Sequence, residues 1–181
     1  DRIVQGCIAG ERKAHHALFT KYREKVHALA YRSLGPAFDL DDVVQQVFIQ
    51  LFQSLPAFKG LSSFDTWVYR ICVKVCTDQL RKKYRKRKLD IVYDDTRVQA
   101  GTDPGGNPQS IMQQHETARE IRHALDKLNA EKRMTIVLFE LEGKSLEEIS
   151  EIMKKPAGTV KSRLFHARRE LKRYLRRYVD A

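Results

Sequence analysis

Large apolar residues in this chain recur at three- and four-residue steps through both halves, and nowhere do they alternate with polar ones over the length of a strand. The pattern predicts an all-α fold. In the first half, Leu18, Tyr22, Val26, Leu29 and Ala30 mark one helix, which Gly35-Pro36 stops. A second begins at Asp39 to Asp42, where carboxylates cap and complement the positive helix end. It carries Val43, Val44, Val47, Phe48, Leu51 and Phe52 to Pro56. After the turn Phe58-Lys59-Gly60-Leu61, Ser62 and Asp65 read as an S-x-x-D start for a third helix through Trp67, Ile71, Val75 and Leu80.

The second half has shorter helices. Ala118, Ile121, Leu125 and Leu128 mark one, and Met134, Val137, Leu138 and Leu141 the next, which ends at Glu142-Gly143. Ser145 and Glu148 form a capping box for a short helix with Leu146, Ile149 and Ile152, and a longer helix follows from about Thr159. Between the halves, residues 89–115 hold Asp90, Asp94, Asp95, Asp103 and the turn-forming run Asp103-Pro104-Gly105-Gly106-Asn107-Pro108, without a helical period. This segment reads as a flexible linker between two helical domains, 1–88 and 116–181. Its reach is on the order of 90 Å extended and about 30 Å as a coil.

Charge narrows the function. The chain carries 34 Lys plus Arg against 23 Asp plus Glu, a formal net charge of +11. The excess is concentrated: Arg81-Lys82-Lys83-Tyr84-Arg85-Lys86-Arg87-Lys88 is basic at every position but Tyr84, and residues 151–177 set ten Lys and Arg against Glu151 and Glu170. A basic run is often only a solvated face, but two of them, each ending a periodic helical segment, point to two nucleic-acid-facing modules. The longest apolar runs, such as Ile136-Val137-Leu138-Phe139, fall far short of the roughly 20 residues a membrane span needs. Asp1-Arg2-Ile3-Val4-Gln5 lacks the apolar core of an export signal, so the expected location is cytoplasmic. Cys7, Cys72 and Cys76 are too few for a disulfide scaffold and have no neighbours to complete a metal site, so neither metal nor cofactor is expected.

Residues 146–153, the turn Lys154-Lys155-Pro156-Ala157-Gly158 and the helix from Thr159 have the proportions of a helix-turn-helix. On the long helix, Val160, Leu164, Ala167 and Leu171 face the core. Ser162, Phe165, His166 and Arg169 lie on the opposite side, flanked by Lys161, Arg163 and Arg168. That face can enter a major groove: Ser, His and Arg hydrogen-bond base edges, Phe165 touches a thymine methyl, and the flanking cations neutralise phosphates.

The string Ser145-Leu146-Glu147-Glu148-Ile149-Ser150-Glu151-Ile152, followed by residues 156–171, PAGTVKSRLFHARREL, resembles region 4.2 of bacterial sigma-70 family factors of the extracytoplasmic-function (ECF) group. Asp41-Asp42-Val43-Val44-Gln45-Gln46-Val47-Phe48 is similar to region 2.2 of the same group. Phe64-Asp65-Thr66-Trp67-Val68-Tyr69-Arg70-Ile71, with Asp78 and Arg81, is similar to regions 2.3 and 2.4. The resemblance implies an alternative RNA polymerase sigma factor with sigma domain 2 at 1–88 and sigma domain 4 at 116–181. Its partners would be core polymerase, through the clamp helices of the largest catalytic subunit and the flap, together with promoter DNA and an anti-sigma factor.

By the same resemblance, Asp42, Gln45 and Gln46 contact the clamp helices; the group often has Glu where this chain has Gln46. Lys59, Ser62, Ser63 and Phe64 pocket a base flipped from the −10 element, and Trp67, Tyr69, Arg70 and Lys74, with Arg81, line the melted strand. Lys74 stands where Asn is common. Exposed Trp and Tyr rings can stack on unpaired bases, but Trp67 also continues the apolar stripe of Ile71 and Val75 and equally fits a core position. Thr159, Lys161, Ser162, Arg163, Phe165, His166 and Arg169 would read the −35 element. A stand-alone helix-turn-helix regulator would explain residues 159–169 and leave Phe64 to Arg70 unused. No Walker glycines, H-E-x-x-H or nucleophile triad suggests an enzyme.

Overall fold

The computed structural model describes residues 2–90 and 108–179; the centre of the segment read as a linker, residues 91–107, lies outside them. The described residues form helices α1 (Arg2–Ile8), α2 (Arg12–Leu34), α3 (Leu40–Ser54), α4 (Phe64–Asp90), α5 (Pro108–Leu125), α6 (Ala130–Ile136), α7 (Leu146–Met153) and α8 (Ala157–Val179), with no strand among them. A 3-10 turn, Leu55–Ala57, follows α3, and a π turn, Val137–Leu141, continues α6.

Local chemistry sets most boundaries where the sequence places them. Gly35 ends α2 with φ 80°, its N–H donating to the Tyr31 carbonyl. Asp39 caps α3, its side chain accepting from the Asp42 N–H at 3.1 Å. Ser145 and Glu148 close the full reciprocal box at the start of α7.

Other boundaries shift. The start of α4 is capped by Ser63, which accepts from the Thr66 N–H at 3.1 Å, and not by the Ser62–Asp65 pair; the cap lies one residue later than read. Both ends of the segment read as linker are helical: α4 continues to Asp90, and α5 begins at Pro108, where the missing N–H costs nothing. The α7–α8 turn is made by Lys154, left-handed at φ 50°, while Gly158 already lies within α8. Helix α1 has too few apolar residues to show a period; it packs on α2 so closely that a Cβ on Gly6 would lie 2.8 Å from the Ala14 Cβ.

In the N-terminal unit α1 to α4 pack round Leu18, Val26, Leu29, Val47, Leu51, Leu55, Cys76 and Leu80. The same buried cluster continues without a break into the C-terminal unit through Met134, Val137, Leu138, Ile149, Ile152 and Val160, because α4 packs against α6 and α7. A smaller cluster of Leu125, Leu128, Ile136, Leu164 and Ala167 holds α8 to its own unit.

One charged side chain sits inside this seam. Arg133 on α6 is 1% exposed. Its Nε donates to the Ser33 carbonyl at 2.6 Å and its Nη2 to the Leu34 carbonyl at 3.2 Å, while Nη1 pairs with Asp126. The guanidinium therefore satisfies the orphan carbonyls at the end of α2 and places a cation at the negative pole of that helix. Breaking a buried pair of this kind costs about 3 to 5 kcal/mol, whereas losing a surface N-cap costs about 1. Arg133→Met is accordingly expected to lower stability in urea unfolding by about 3 kcal/mol or more, and Ser145→Ala by about 1 kcal/mol. Equal losses would contradict this placement of Arg133.

Candidate nucleic-acid interface

Helices α7 and α8 form the expected helix-turn-helix. Ile149 and Ile152 anchor α7, Ser150 Oγ donates to the Lys155 carbonyl at 2.6 Å across the turn, and the Pro156 carbonyl accepts the Thr159 and Val160 N–H groups that open α8. Val160, Leu164 and Ala167 are buried, and Leu171 packs partly buried beside them. The opposite side presents Lys161, Ser162, His166 and Arg169 exposed and Phe165 62% exposed, with the Phe165 and His166 rings edge to face at 5.5 Å. An exposed phenylalanine among cations is a poor solvent face and a good groove-reading one.

Not every cation of that helix is free to meet DNA. Arg163 turns partly inward with Nη1 buried, and Thr159 is half-buried. Arg168 pairs with Glu140 at 2.6 Å and lies over the Phe139 ring at 5.0 Å.

The second set of residues lies on α4 and the loop before it. Lys59 and Ser63 are exposed, Ser62 is half-buried, and Leu61, between them, is 91% exposed. Phe64 stands edge to face with Tyr22 and with Phe58, and Phe58 packs likewise against Trp67 at 5.2 Å. Trp67 is half-buried, its indole Nε1 enclosed and Arg70 over its ring at 5.8 Å, so the ring supports the core while its edge borders the surface. Lys74 is exposed. On α3, Asp42, Gln45 and Gln46 are all exposed with Ile49 one turn on; Gln46 accepts a hydrogen bond from Gln79 at 3.0 Å.

Tyr69, Arg70 and Arg81 meet partners that local sequence does not announce. The Tyr69 hydroxyl donates to Glu142 at 3.0 Å, and that carboxylate also holds Arg32 at 2.6 Å. Arg70 reaches the Glu151 carbonyl at 3.2 Å, and Arg81 donates to Glu131 from Nε and Nη2. Lower on α4, Lys83 and Arg87 share Asp126 with Arg133. The first basic cluster thus supplies part of the contact with the C-terminal unit. Burial and the Glu142 charge push the Tyr69 hydroxyl well above the ordinary phenol range, so it remains a donor.

Among the described residues no group of three or more His, Cys, Asp or Glu side chains converges to hold a metal ion, and no helix is long and apolar enough to cross a membrane. Cys7, Cys72 and Cys76 are buried and unpaired as disulfides. A hydrogen bond with Cys76 and complete burial push the Cys72 thiol well up, which keeps it protonated.

Comparison with known proteins gives this geometry a family. The Sigma-70 region 2 family matches residues 18–86, and the Sigma-70 region 4 family matches residues 118–171. The chain is 36% identical over 172 residues to the ECF RNA polymerase sigma-E factor of Escherichia coli K12, covering 92% of this chain and 88% of the relative. The chain belongs to the ECF sigma factors.

A similar sigma-E factor from Haemophilus influenzae is 36% identical over 170 residues, covering 92% of this chain and 89% of the relative. The fold is shared with CnrH in complex with the cytosolic domain of CnrY, at TM-score 0.65 and 23% identity over 97% of this chain and 96% of that one. It is also shared with the sigma factor RpoE bound to the anti-sigma factor NepR from Bartonella quintana, at TM-score 0.63 and 22% identity over 89% of this chain and 96% of that one. As an ECF sigma factor the protein is an alternative sigma factor of RNA polymerase, a regulatory initiation factor. The stand-alone regulator reading is not favoured: it accounts for residues 118–171 and leaves the match over residues 18–86 without a role.

The acidic partners in the seam define a pH response. Burial pushes Asp126 and Glu131 up, but Arg133 and Lys83 at Asp126, and Arg81 with Arg163 at Glu131, outweigh it and hold both below their ordinary 3.8 and 4.5. A depressed carboxyl stabilises the paired state fully above its ordinary value and ceases to as pH falls through the lowered one. The two units are expected to stay together from about pH 6 to 8, and their pairing to weaken only as pH falls below about 4. Small-angle scattering of the free chain checks this; expansion on going from pH 8 to 6 would contradict it.

Proposed function

We propose that the two helical units divide promoter recognition between them. Residues 1–88 form sigma domain 2, which docks on the clamp helices of the largest subunit of core polymerase through Asp42, Gln45 and Gln46. The same domain captures unpaired −10 bases with Lys59, Ser62, Ser63, Phe64, Trp67, Tyr69, Arg70, Lys74 and Arg81. Residues 116–181 form sigma domain 4, which meets the polymerase flap and places Thr159, Lys161, Ser162, Arg163, Phe165, His166 and Arg169 in the −35 major groove, and residues 89–115 join the two. Base capture offsets the cost of unpairing, so melting is driven by preferential affinity for the open strand and the chemistry stays in the polymerase. The protein would act in the cytoplasm, without a cofactor, and be held inactive by an anti-sigma factor, as the complex of RpoE with the anti-sigma factor NepR suggests.

The observation that carries this reading is the exposed Ser162–Phe165–His166–Arg169 face of α8, set opposite buried Val160, Leu164 and Ala167 in a chain that also matches region 2. Run-off transcription with core polymerase on a genomic library tests it directly and reads the promoter at the same time; no initiation on any template would overturn it. Removing one base contact costs about 1 to 3 kcal/mol, so Arg169→Ala and Ser162→Ala should each weaken −35 recognition by about 5- to 150-fold while core binding persists. Asp42→Arg should reverse the pattern, abolishing co-purification with core polymerase and sparing −35 duplex binding by the isolated chain.

A further inference from the structure

Helix α8 extends beyond the family match. The Sigma-70 region 4 match ends at residue 171, whereas α8 runs on to Val179, about two further turns. The exposed face that carries Ser162, His166 and Arg169 advances by four and three residues, and the same steps continue to positions 173 and 176 of the helix. Lys172 and Arg173 are both exposed. Arg173 Nη2 donates to the Tyr174 hydroxyl at 3.2 Å, and the guanidinium lies 5.2 Å from the centre of that ring, which fixes the head group while engaging one of its five donors. Two neighbouring charges of α8 are answered inside the protein: Arg168 by Glu140 at 2.6 Å and Glu170 by Lys132 at 2.5 Å. Among the described residues Lys172 and Arg173 form no ion pair. Arg169 and Arg173 lie four residues apart, where like charges on a helix repel, so the stripe is stabilised by an anion from outside the chain.

We infer that Lys172 and Arg173 hold phosphates of the duplex beyond the base pairs that α8 reads, so that this end of the helix adds affinity without sequence preference. The inference rests on the placement of α8 in the −35 major groove. Dimensions carry it. A recognition helix presents its N-terminal residues to base edges, and the major groove is about 12 Å wide. At 1.5 Å per residue, positions 159 to 169 span about 15 Å, which takes up that width, and position 173 lies about 6 Å further along. A helix leaving the groove there meets the sugar–phosphate wall and no base edge. Phosphate contacts of this kind fix register and supply affinity that is sequence-independent and sensitive to salt. Cations near the C-terminal end of a helix are also favoured by its negative pole. A role limited to that would show in stability and leave DNA binding unchanged.

The test uses the full chain. Labelled duplexes carry the −35 element read from the run-off library, or the same element scrambled, with about one helical turn of flanking sequence on each side. They are titrated in rising salt against the parent chain, K172Q/R173Q and a charge-matched control, R12Q/K13Q, altered at exposed positions of α2. Each phosphate contact adds about 0.9 to the slope of log affinity on log salt, so K172Q/R173Q should lower the slope by about 2 relative to the control and weaken both duplexes alike, by roughly tenfold. Arg169→Ala should instead weaken the unscrambled duplex more than the scrambled one. Trimming the flanking base pairs from one end should cost the parent the same factor and K172Q/R173Q nothing. An unchanged slope, or a loss confined to the unscrambled duplex, overturns the inference. So does a defect of K172Q/R173Q that appears only in transcription with core polymerase, which would make an acidic protein surface the occupant. If the parent binds neither duplex, the inference falls, and transcription shows whether the placement of α8 falls with it: an initiation defect in Arg169→Ala keeps that placement.

Discussion

The arrangement of this protein depends on one buried guanidinium. Arg133 cannot shed its charge inside the seam, so it must be answered there, and the answer comes from three places: the carbonyls of Ser33 and Leu34 at the end of α2, and the carboxylate of Asp126. Asp126 in turn draws in Lys83 and Arg87 from the far part of α4. A helix end, an interhelical turn and a basic run are thereby tied to one point. The apolar cluster running from Leu80 into Met134 and Ile149 supplies attraction without direction, and the charged hub supplies the direction.

Helix α4 works on two faces. Cys72, Val75, Cys76 and Leu80 form its core stripe, and Tyr69, Arg70, Lys74 and Arg81 its outward one. Trp67 lies on the boundary, which is why its spacing is compatible with both roles: the ring leans on Phe58 while Arg70 covers it from outside. The C-terminal unit is divided in a similar way. Its α8 turns Ser162, Phe165, His166 and Arg169 to solvent, while α6, α7 and the turns beside them carry the carboxylates that face α4. In this ECF sigma factor the two faces contrast: Lys161, Ser162, His166 and Arg169 of α8 are open to solvent, while Tyr69, Arg70 and Arg81 of α4 are paired.

Much of the fold and of the exposed face of α8 is legible in the sequence, because those features are local. A helix boundary is decided by one turn of chain: Gly35 needs a positive φ, Asp39 meets the Asp42 N–H, and Ser145 and Glu148 satisfy each other. The division of α8 into buried Val160, Leu164 and Ala167 and exposed Ser162, Phe165, His166 and Arg169 follows from 3.6 residues per turn. Where local signals compete, the register slipped by a residue, as with Ser63 in place of Ser62. Where apolar residues were few, as in α1 and the first turns of α5, there was no stripe to read.

Long-range pairing of charges left no trace in the sequence. Nothing near Glu142 says that it will be buried between Arg32 and Tyr69, and nothing near Arg81 or Arg168 says that Glu131 and Glu140 will hold them. Periodicity and capping chemistry alone determined that the two described units are helical, where α2 stops, where α3 and α7 start, and which side of α8 is free. Tertiary structure alone decided which of these cations and carboxylates meet, because each pair joins positions tens of residues apart, and only the packing of α2, α4 and α8 against the segments that carry Glu131, Glu140 and Glu142 brings them within reach.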